Sequence, residues 1–442
     1  MESGKKNPIT LDETNARMNY LTTNLGESNI NYNLILALRR STDLSNNHNH
    51  SNYSGQIEIK FFLYTSLLEG QLFLDFIGQV NSMTVNNEKI ENINAANHRI
   101  IIDTINLKIG SENTVNILFN ANFSKTAQGL HYYLDPADNY EYMFTHFEPF
   151  DCHKMFPCFD QPDLKARLSI NIIAPEDWVV IGNEREKWAK SLNTETEKDL
   201  DIINFFSKLT IYQKDYLLSN DLLTKKYAVH VFESTPKIST YLFAIAAGKY
   251  HCVNNIYDYP INLRVFCRES SKNFGDPKQL FRIIIAGMEW YKDYFGIAYP
   301  FSKYDQIFCP EFNCGAMENV GLVTINECFH FRETPSNSKK SNFAIMILHE
   351  LAHMWFGNLV TMKWWNDLWL NESFATFISF LCQSECLKET YNDTWIIFNS
   401  YKSLAYRSDQ LSTTHPVMCE VKNTEIAENH FDALVYYKGS SF

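Results

Sequence analysis

Alternation dominates the first half of the chain. Residues 57–61 (Ile-Glu-Ile-Lys-Phe) and 115–119 (Val-Asn-Ile-Leu-Phe) place apolar side chains at nearly every second position, the period of a half-buried strand. From Tyr53 to about Ala247 such runs are separated by polar turns, which predicts a sheet-rich region. After Lys249 the pattern changes. Residues 261–266 read as a strand, and Pro277–Phe295 reads as a helix with proline in its first turn. Two further strand-like runs, 304–309 and 320–325, precede a stretch in which Phe343, Ile347, Glu350 and Met354 fall three or four apart. That spacing predicts a helix, with Asn342 as its cap and Gly357-Asn358 as its end. A second helix is expected from about Asp367 through Ala375 and Phe380 to Cys386. The expected class is therefore α+β and multidomain: a polar segment and first strand region over 1–52, a β-rich domain over 53–248, and a mixed domain over 249–442.

Composition narrows the setting. With 442 residues, 45% of them hydrophobic, the chain can bury more than one core. A net charge of −12 argues against a nucleic-acid surface. The first thirty residues are polar and lack the apolar core of a secretion signal, and no run approaches the ~20 apolar residues of a spanning helix. The ten cysteines are scattered, and Cys382 and Cys386 are four apart rather than in a C-x-x-C redox pair. Free thiols in a reducing compartment follow, with the cytoplasm as the expected location. The polar tract 46–54, containing His48 and His50, reads as a solvated insertion rather than a metal site. Residues 187–226 form a longer connection with a helical pattern over 199–209, to which no function is attached.

The chemistry concentrates at His349-Glu350-Leu351-Ala352-His353, followed after eighteen residues by Glu372. Residues four apart share a helix face, so the two imidazoles can converge on one ion with Glu350 beside it. Two histidines and a carboxylate are the ligand set of an open catalytic zinc site, with a water in the fourth position and Glu350 as its base. With all 51 acidic residues counted as if Glu, H-E-x-x-H arises about 0.04 times in a chain of this composition, and the distant glutamate makes coincidence rarer. The alternative, two ordinary helix histidines, leaves three polar groups on one stripe of an apolar helix without compensation.

A second group of residues specifies the kind of chemistry. Gly315-Ala316-Met317-Glu318-Asn319 lies between two predicted strands. The zinc segment itself reads H-E-L-A-H-M-W-F-G-N over 349–358 and W-W-N-D-L-W-L-N-E-S-F over 364–374. Residues 431–439 read F-D-A-L-V-Y-Y-K-G, and 156–162 read F-P-C-F-D-Q-P. With these motifs the chain resembles the aminopeptidase N family of zinc metallopeptidases, the gluzincins, from roughly Tyr53 to its last residue. The resemblance implies a sheet-rich amino-terminal domain and a thermolysin-like catalytic domain with one zinc ion on His349, His353 and Glu372. It implies that the 315–319 segment is an edge strand along which the substrate backbone lies, and that Glu318 holds the free α-amine. Glu148 matches a residue that helps hold the same amine, and Tyr436 matches the family's catalytic tyrosine. From the residues alone, Tyr436 and Tyr437 are not distinguished, and Met317 is either a lining of the first side-chain pocket or a gap filler. Trp364, Trp365, Trp369 and Trp395 are read as packing around the zinc helices.

The implied substrates are peptides with a free amino end. Two carboxylates such as Glu148 and Glu318 can pair with an ammonium that only a chain terminus carries, which rejects internal positions. Members of the family continue beyond the point matching Phe442, so the expectation includes a catalytic domain incomplete at its end and, as the alternative to an active aminopeptidase, a weakly active or inactive peptide-binding form. A thermolysin-like endopeptidase is a third reading, which predicts cleavage of amino-blocked peptides.

Overall fold

The computed structural model describes residues 8–23, 26–40, 52–65, 72–192, 199–218 and 226–442. They form two compact units, one of Asp12–Tyr250 and one of His251–Phe442 with the short segment Pro8–Leu11. The architecture is mixed α+β, with a sheet-rich region first and a helix-rich region after it, as the periodicity predicts.

The first unit is built on an eight-stranded sheet in the order Glu186–Leu192, Tyr227–Phe232, Ala166–Pro175, Ile30–Ala37, Asn52–Leu63, Ser111–Asn122, Gln79–Val85 and Glu88–Lys89. The two alternating runs are neighbours. Ile57 faces Ile117 and Ile59 faces Val115, all four buried, while Glu58 and Asn116 share the other, half-buried face. Burying each such aliphatic side chain contributes about 1.5–3 kcal/mol, and a one-residue slip would turn all of them outward. Only Ile30–Ala37 and Ala166–Pro175 run parallel among the paired strands of this sheet. Of the tract 46–54, residues 52–54 open the strand Asn52–Leu63 rather than lying in a solvated loop; His48 and His50 lie outside the described residues.

Two smaller sheets complete this unit, one of four strands containing Glu141–His146 and one of three. Helix α1 spans Leu11–Leu21. The 187–226 connection contributes an edge strand and two short helices, α2 (Leu200–Ser207) and α3 (Ile211–Leu218). Asp199 caps α2 through the amides of Asp201 and Ile202, and Ile202, Phe205, Leu209 and Leu217 pack on Ile35, Ile173 and Val229 of the large sheet.

The second unit has a five-stranded sheet in the order Tyr250–Asn254, Asn262–Arg268, Lys303–Cys309, Leu322–Asn326 and Ala316–Met317. Helix α4 spans Pro277–Phe295, started by Asp276 capping the Gln279 amide and stopped by Gly296 at φ 68°. Helices α5 (Asn337–Ala352), α6 (Leu368–Cys386), α7 (Thr394–Asp409) and α8 (Thr424–Ala427) follow, then a π-helical turn over Leu434–Lys438. Gly287 lets α4 approach α5: a β-carbon there would collide with Leu348 and Leu351.

Both expected ends of α5 need correction. Its cap is Ser336, whose hydroxyl accepts the Lys339 amide, so the helix begins six residues before the predicted start. Asn342 lies inside it, donating back to the Ser338 carbonyl and accepting from Tyr401. The helix closes at Ala352, before Gly357, because the chain tightens into i to i−3 hydrogen bonds at Met354 and Trp355.

Candidate metal centre and peptide site

Helix α5 presents His349, Glu350 and His353 at its carboxyl end, and α6 brings Glu372 over them from its second turn. The connection between them turns at Gly357, whose φ of 123° suits glycine and whose missing side chain leaves room for Asn371. His349 Nε2 lies 3.2 Å from Glu372 Oε2 and 3.0 Å from His353 Nε2, and His353 Nε2 lies 3.6 Å from Glu372 Oε2. His353 and Glu372 are each 1% exposed.

The tautomers follow from the remaining contacts. His353 Nδ1 faces Asn371 Oδ1 at 2.6 Å and the Phe356 carbonyl at 3.1 Å, so it carries the proton and turns the Nε2 lone pair toward the cluster. His349 Nδ1 has Thr376 Oγ1 at 3.5 Å, leaving its Nε2 for the same point. Two imidazole nitrogens and a carboxylate oxygen within 3.0–3.6 Å of one another form a group that could hold a cation. Burial lowers both imidazoles, but for His353 the carboxylates of Glu318 and Glu372 outweigh it and hold the ring up at about 10. Burial would also raise Glu372, yet His353 and His349 keep it down at about 2. The donor set, two nitrogens and one carboxylate oxygen, each imidazole oriented by an outer contact, fits a zinc ion.

Glu350 is buried, and with Glu318 and His353 it offers an atom within 4.8 Å of the other two. Burial pushes its carboxyl well above the usual carboxylate range, and the charges of Glu318 and Glu372 add to that against the opposing pull of His353.

The 315–319 segment reaches the same place from the sheet. Ala316–Met317 is the outermost strand, antiparallel to Leu322–Asn326, so one side of its backbone faces away from the sheet. Gly315 is exposed, Ala316 half-buried and Met317 buried. Glu318 is buried with Oε1 3.9 Å from His353 Nδ1, and burial again raises its carboxyl. Tyr436 and Tyr437 separate clearly. The Tyr436 ring lies near-parallel to His349 with centroids 6.1 Å apart, whereas Tyr437 stacks on Tyr401 at 4.7 Å. Glu148 lies on the first unit, half-buried, just beyond the strand Glu141–His146. Trp364 and Trp365 are buried near these helices, but Trp395 is 46% exposed on α7 and does not pack inside them.

Two asparagines were missed by sequence reasoning. Asn371 accepts from His353 and donates to Glu318 Oε1 at 3.4 Å, tying the metal cluster to the edge strand. Asn358 donates to the Glu318 carbonyl at 2.8 Å. Their signal was adjacency: Asn371 precedes Glu372 and Asn358 ends the first zinc stretch. Thr376, four residues beyond Glu372 on the same face of α6, was findable by spacing alone.

Comparison with known proteins places this geometry. The Peptidase M1 N-terminal domain matches residues 28–209, and the Peptidase family M1 domain matches residues 281–442, which include the entire cluster. The chain belongs to the M1 peptidase family. Aminopeptidase N of Streptomyces lividans is 36% identical over 378 residues, covering 84% of this chain and 40% of that protein. Tricorn protease-interacting factor F2 of Thermoplasma volcanium is 36% identical over 331 residues, covering 73% and 36%, and Aminopeptidase M1 of Arabidopsis thaliana is 34% identical over 299 residues, covering 67% and 30%. The chain thus spans less than half the length of these M1 relatives. Among its described residues, no helix is long and apolar enough to cross a membrane.

Proposed function

We propose that this M1 family member is a zinc-dependent aminopeptidase that removes amino-terminal residues from peptides. The observation that carries the reading is the convergence of His349, His353 and Glu372, with Glu350 and Glu318 both beside His353. Family membership and the names of the relatives support it.

In this reading His349 Nε2, His353 Nε2 and a Glu372 oxygen hold the ion. When bound, zinc polarises the scissile carbonyl and brings a water's pKa to about 7. Glu350 takes that water's proton and later delivers it to the leaving amine; a carboxyl raised by burial is matched to both halves of that transfer. The Tyr436 hydroxyl donates to the oxyanion that develops on the carbonyl oxygen. Gly315, Ala316 and Met317 align the substrate backbone along the open edge, and Glu318 pairs with the α-ammonium. Glu148 is carried as a second carboxylate for that ammonium by the resemblance alone. An internal peptide would leave a buried carboxylate unpaired, which penalises its binding. All ten cysteines are free thiols, which supports a reducing compartment such as the cytoplasm.

The test is release of free amino acids from unblocked and amino-acetylated peptides by the 442-residue chain, with and without a chelator. Chelator-sensitive release from the unblocked set alone is expected. Cleavage of blocked peptides would favour the endopeptidase reading, and bound zinc without release would favour a peptide-binding form.

A further inference from the structure

A second cluster of metal-ligating side chains lies outside the centre described above. His415 and Cys419 fall four residues apart between α7 and α8, and His430 follows α8. One ring nitrogen from each histidine and the Cys419 sulfur all lie within 4.8 Å of one another. All three side chains are half-buried, which leaves them reachable by an ion.

His430 has the outer contact of a histidine set up as a ligand, whereas both ring nitrogens of His415 have oxygen partners. His430 Nδ1 meets the Ile426 carbonyl at 2.9 Å, so it carries the proton and leaves the Nε2 lone pair outward. His415 Nε2 meets Asp432 Oδ2 at 2.9 Å, and its Nδ1 meets the Pro416 carbonyl at 2.7 Å. One of these two contacts must therefore open for the ring to bind an ion, while the carboxylate or carbonyl keeps the other nitrogen in place. Asp432 is itself fixed: its Oδ1 accepts the amides of Leu434 and Val435 at 2.9 and 3.1 Å.

We propose that His415, Cys419 and His430 form a second site for a borderline-soft divalent cation of the zinc class, with Asp432 positioning His415. Two imidazoles and a thiolate suit such an ion, at bond lengths of about 2.0–2.3 Å. Binding breaks the Cys419 S–H bond: the sulfur becomes a ligand and the proton leaves to solvent. The site also grips the turn that carries Tyr436, because the Asp432 carbonyl accepts the Tyr436 amide at 3.0 Å. An ion here therefore orders that turn, a consequence that rests on the role proposed for Tyr436; the binding itself does not.

Cobalt loading of the chelator-stripped chain separates the two centres, since only the second contains sulfur. Expected are about two cobalt equivalents per chain and a near-ultraviolet thiolate-to-cobalt absorption. Cys419→Ser should abolish the band and one equivalent, and His349→Ala should lose one equivalent but keep the band. Circular dichroism confirms that each variant is folded. Absence of the band from the folded unmutated chain, or its survival in Cys419→Ser, overturns the proposal, and the first of these needs no variant.

Discussion

Burial together with the charges of Glu318 and Glu372 holds the Glu350 carboxyl well above the usual carboxylate range, and His353 opposes them. Glu350→Gln keeps the shape and removes the proton acceptor. Turnover of an amino-acid anilide is expected to fall about 10²–10⁴-fold, with zinc content unchanged; steady-state kinetics and metal analysis check both. Asn371 acts at one remove, through the His353 ring it orients. Asn371→Ala is expected to weaken zinc affinity about 10–100-fold, read by competition with a chromogenic chelator, and retention of full affinity would remove Asn371 from the site. The ligand types and Glu350 were legible because their spacing is local to one helix plus one later glutamate. Asn371 offered only its adjacency to Glu372, since an amide has no characteristic spacing, and its role depends on Gly357 leaving room for it. Neither could spacing separate Tyr436 from its neighbour, because the choice is made by the π-helical turn that sends one ring to His349 and the other to Tyr401.

Elements with strong punctuation at their ends were read accurately, and α4 shows why: Asp276, Pro277 and Gly296 each fix a backbone group at a terminus. Helix α5 was misread at both ends because Asn342 can cap a helix or bond within one, and only the tertiary partner Tyr401 decides. Strands were legible by alternation, but not their partners: Ile30–Ala37 lies beside Ala166–Pro175, far along the chain. The strand Glu141–His146 carries a pH dependence of its own. His146 is 6% exposed, and burial, helped by the Lys154 cation, holds its imidazole down at about 4 against an ordinary 6.5. A depressed imidazole contributes stability that is complete above pH 6.5 and is lost as pH falls through 4, since the unfolded chain takes up the proton first. The loss amounts to about 3 kcal/mol at most. Urea unfolding between pH 7 and pH 4 is expected to show a shallower decline in His146→Gln than in the unmutated chain; parallel declines would discount the histidine.

At the scale of the whole chain, every proposed zinc ligand lies in the second unit, and the proposed ion would join two helices that the sequence separates by a connection of fifteen residues (353–367). Without the ion, His349, His353 and Glu372 form a buried cluster with one hydrogen-bonded carboxylate and two converging nitrogens, an arrangement that loses a stabilising partner. Binding to the folded state alone stabilises it by about 2.7 kcal/mol at a hundredfold excess over Kd. That energy is localised where the ligands are, because local opening reports the contacts of the segment that opens. Hydrogen exchange followed by mass spectrometry, with and without chelator, is therefore expected to show faster exchange in α5, in 353–367 and in the first turns of α6 once zinc is removed. Peptides from the eight-stranded sheet, which supplies no ligand, should exchange as before. A uniform rise across both units would mean that metal removal unfolds the chain globally, and no change in α5 and α6 would mean that the ion is bound somewhere other than His349, His353 and Glu372.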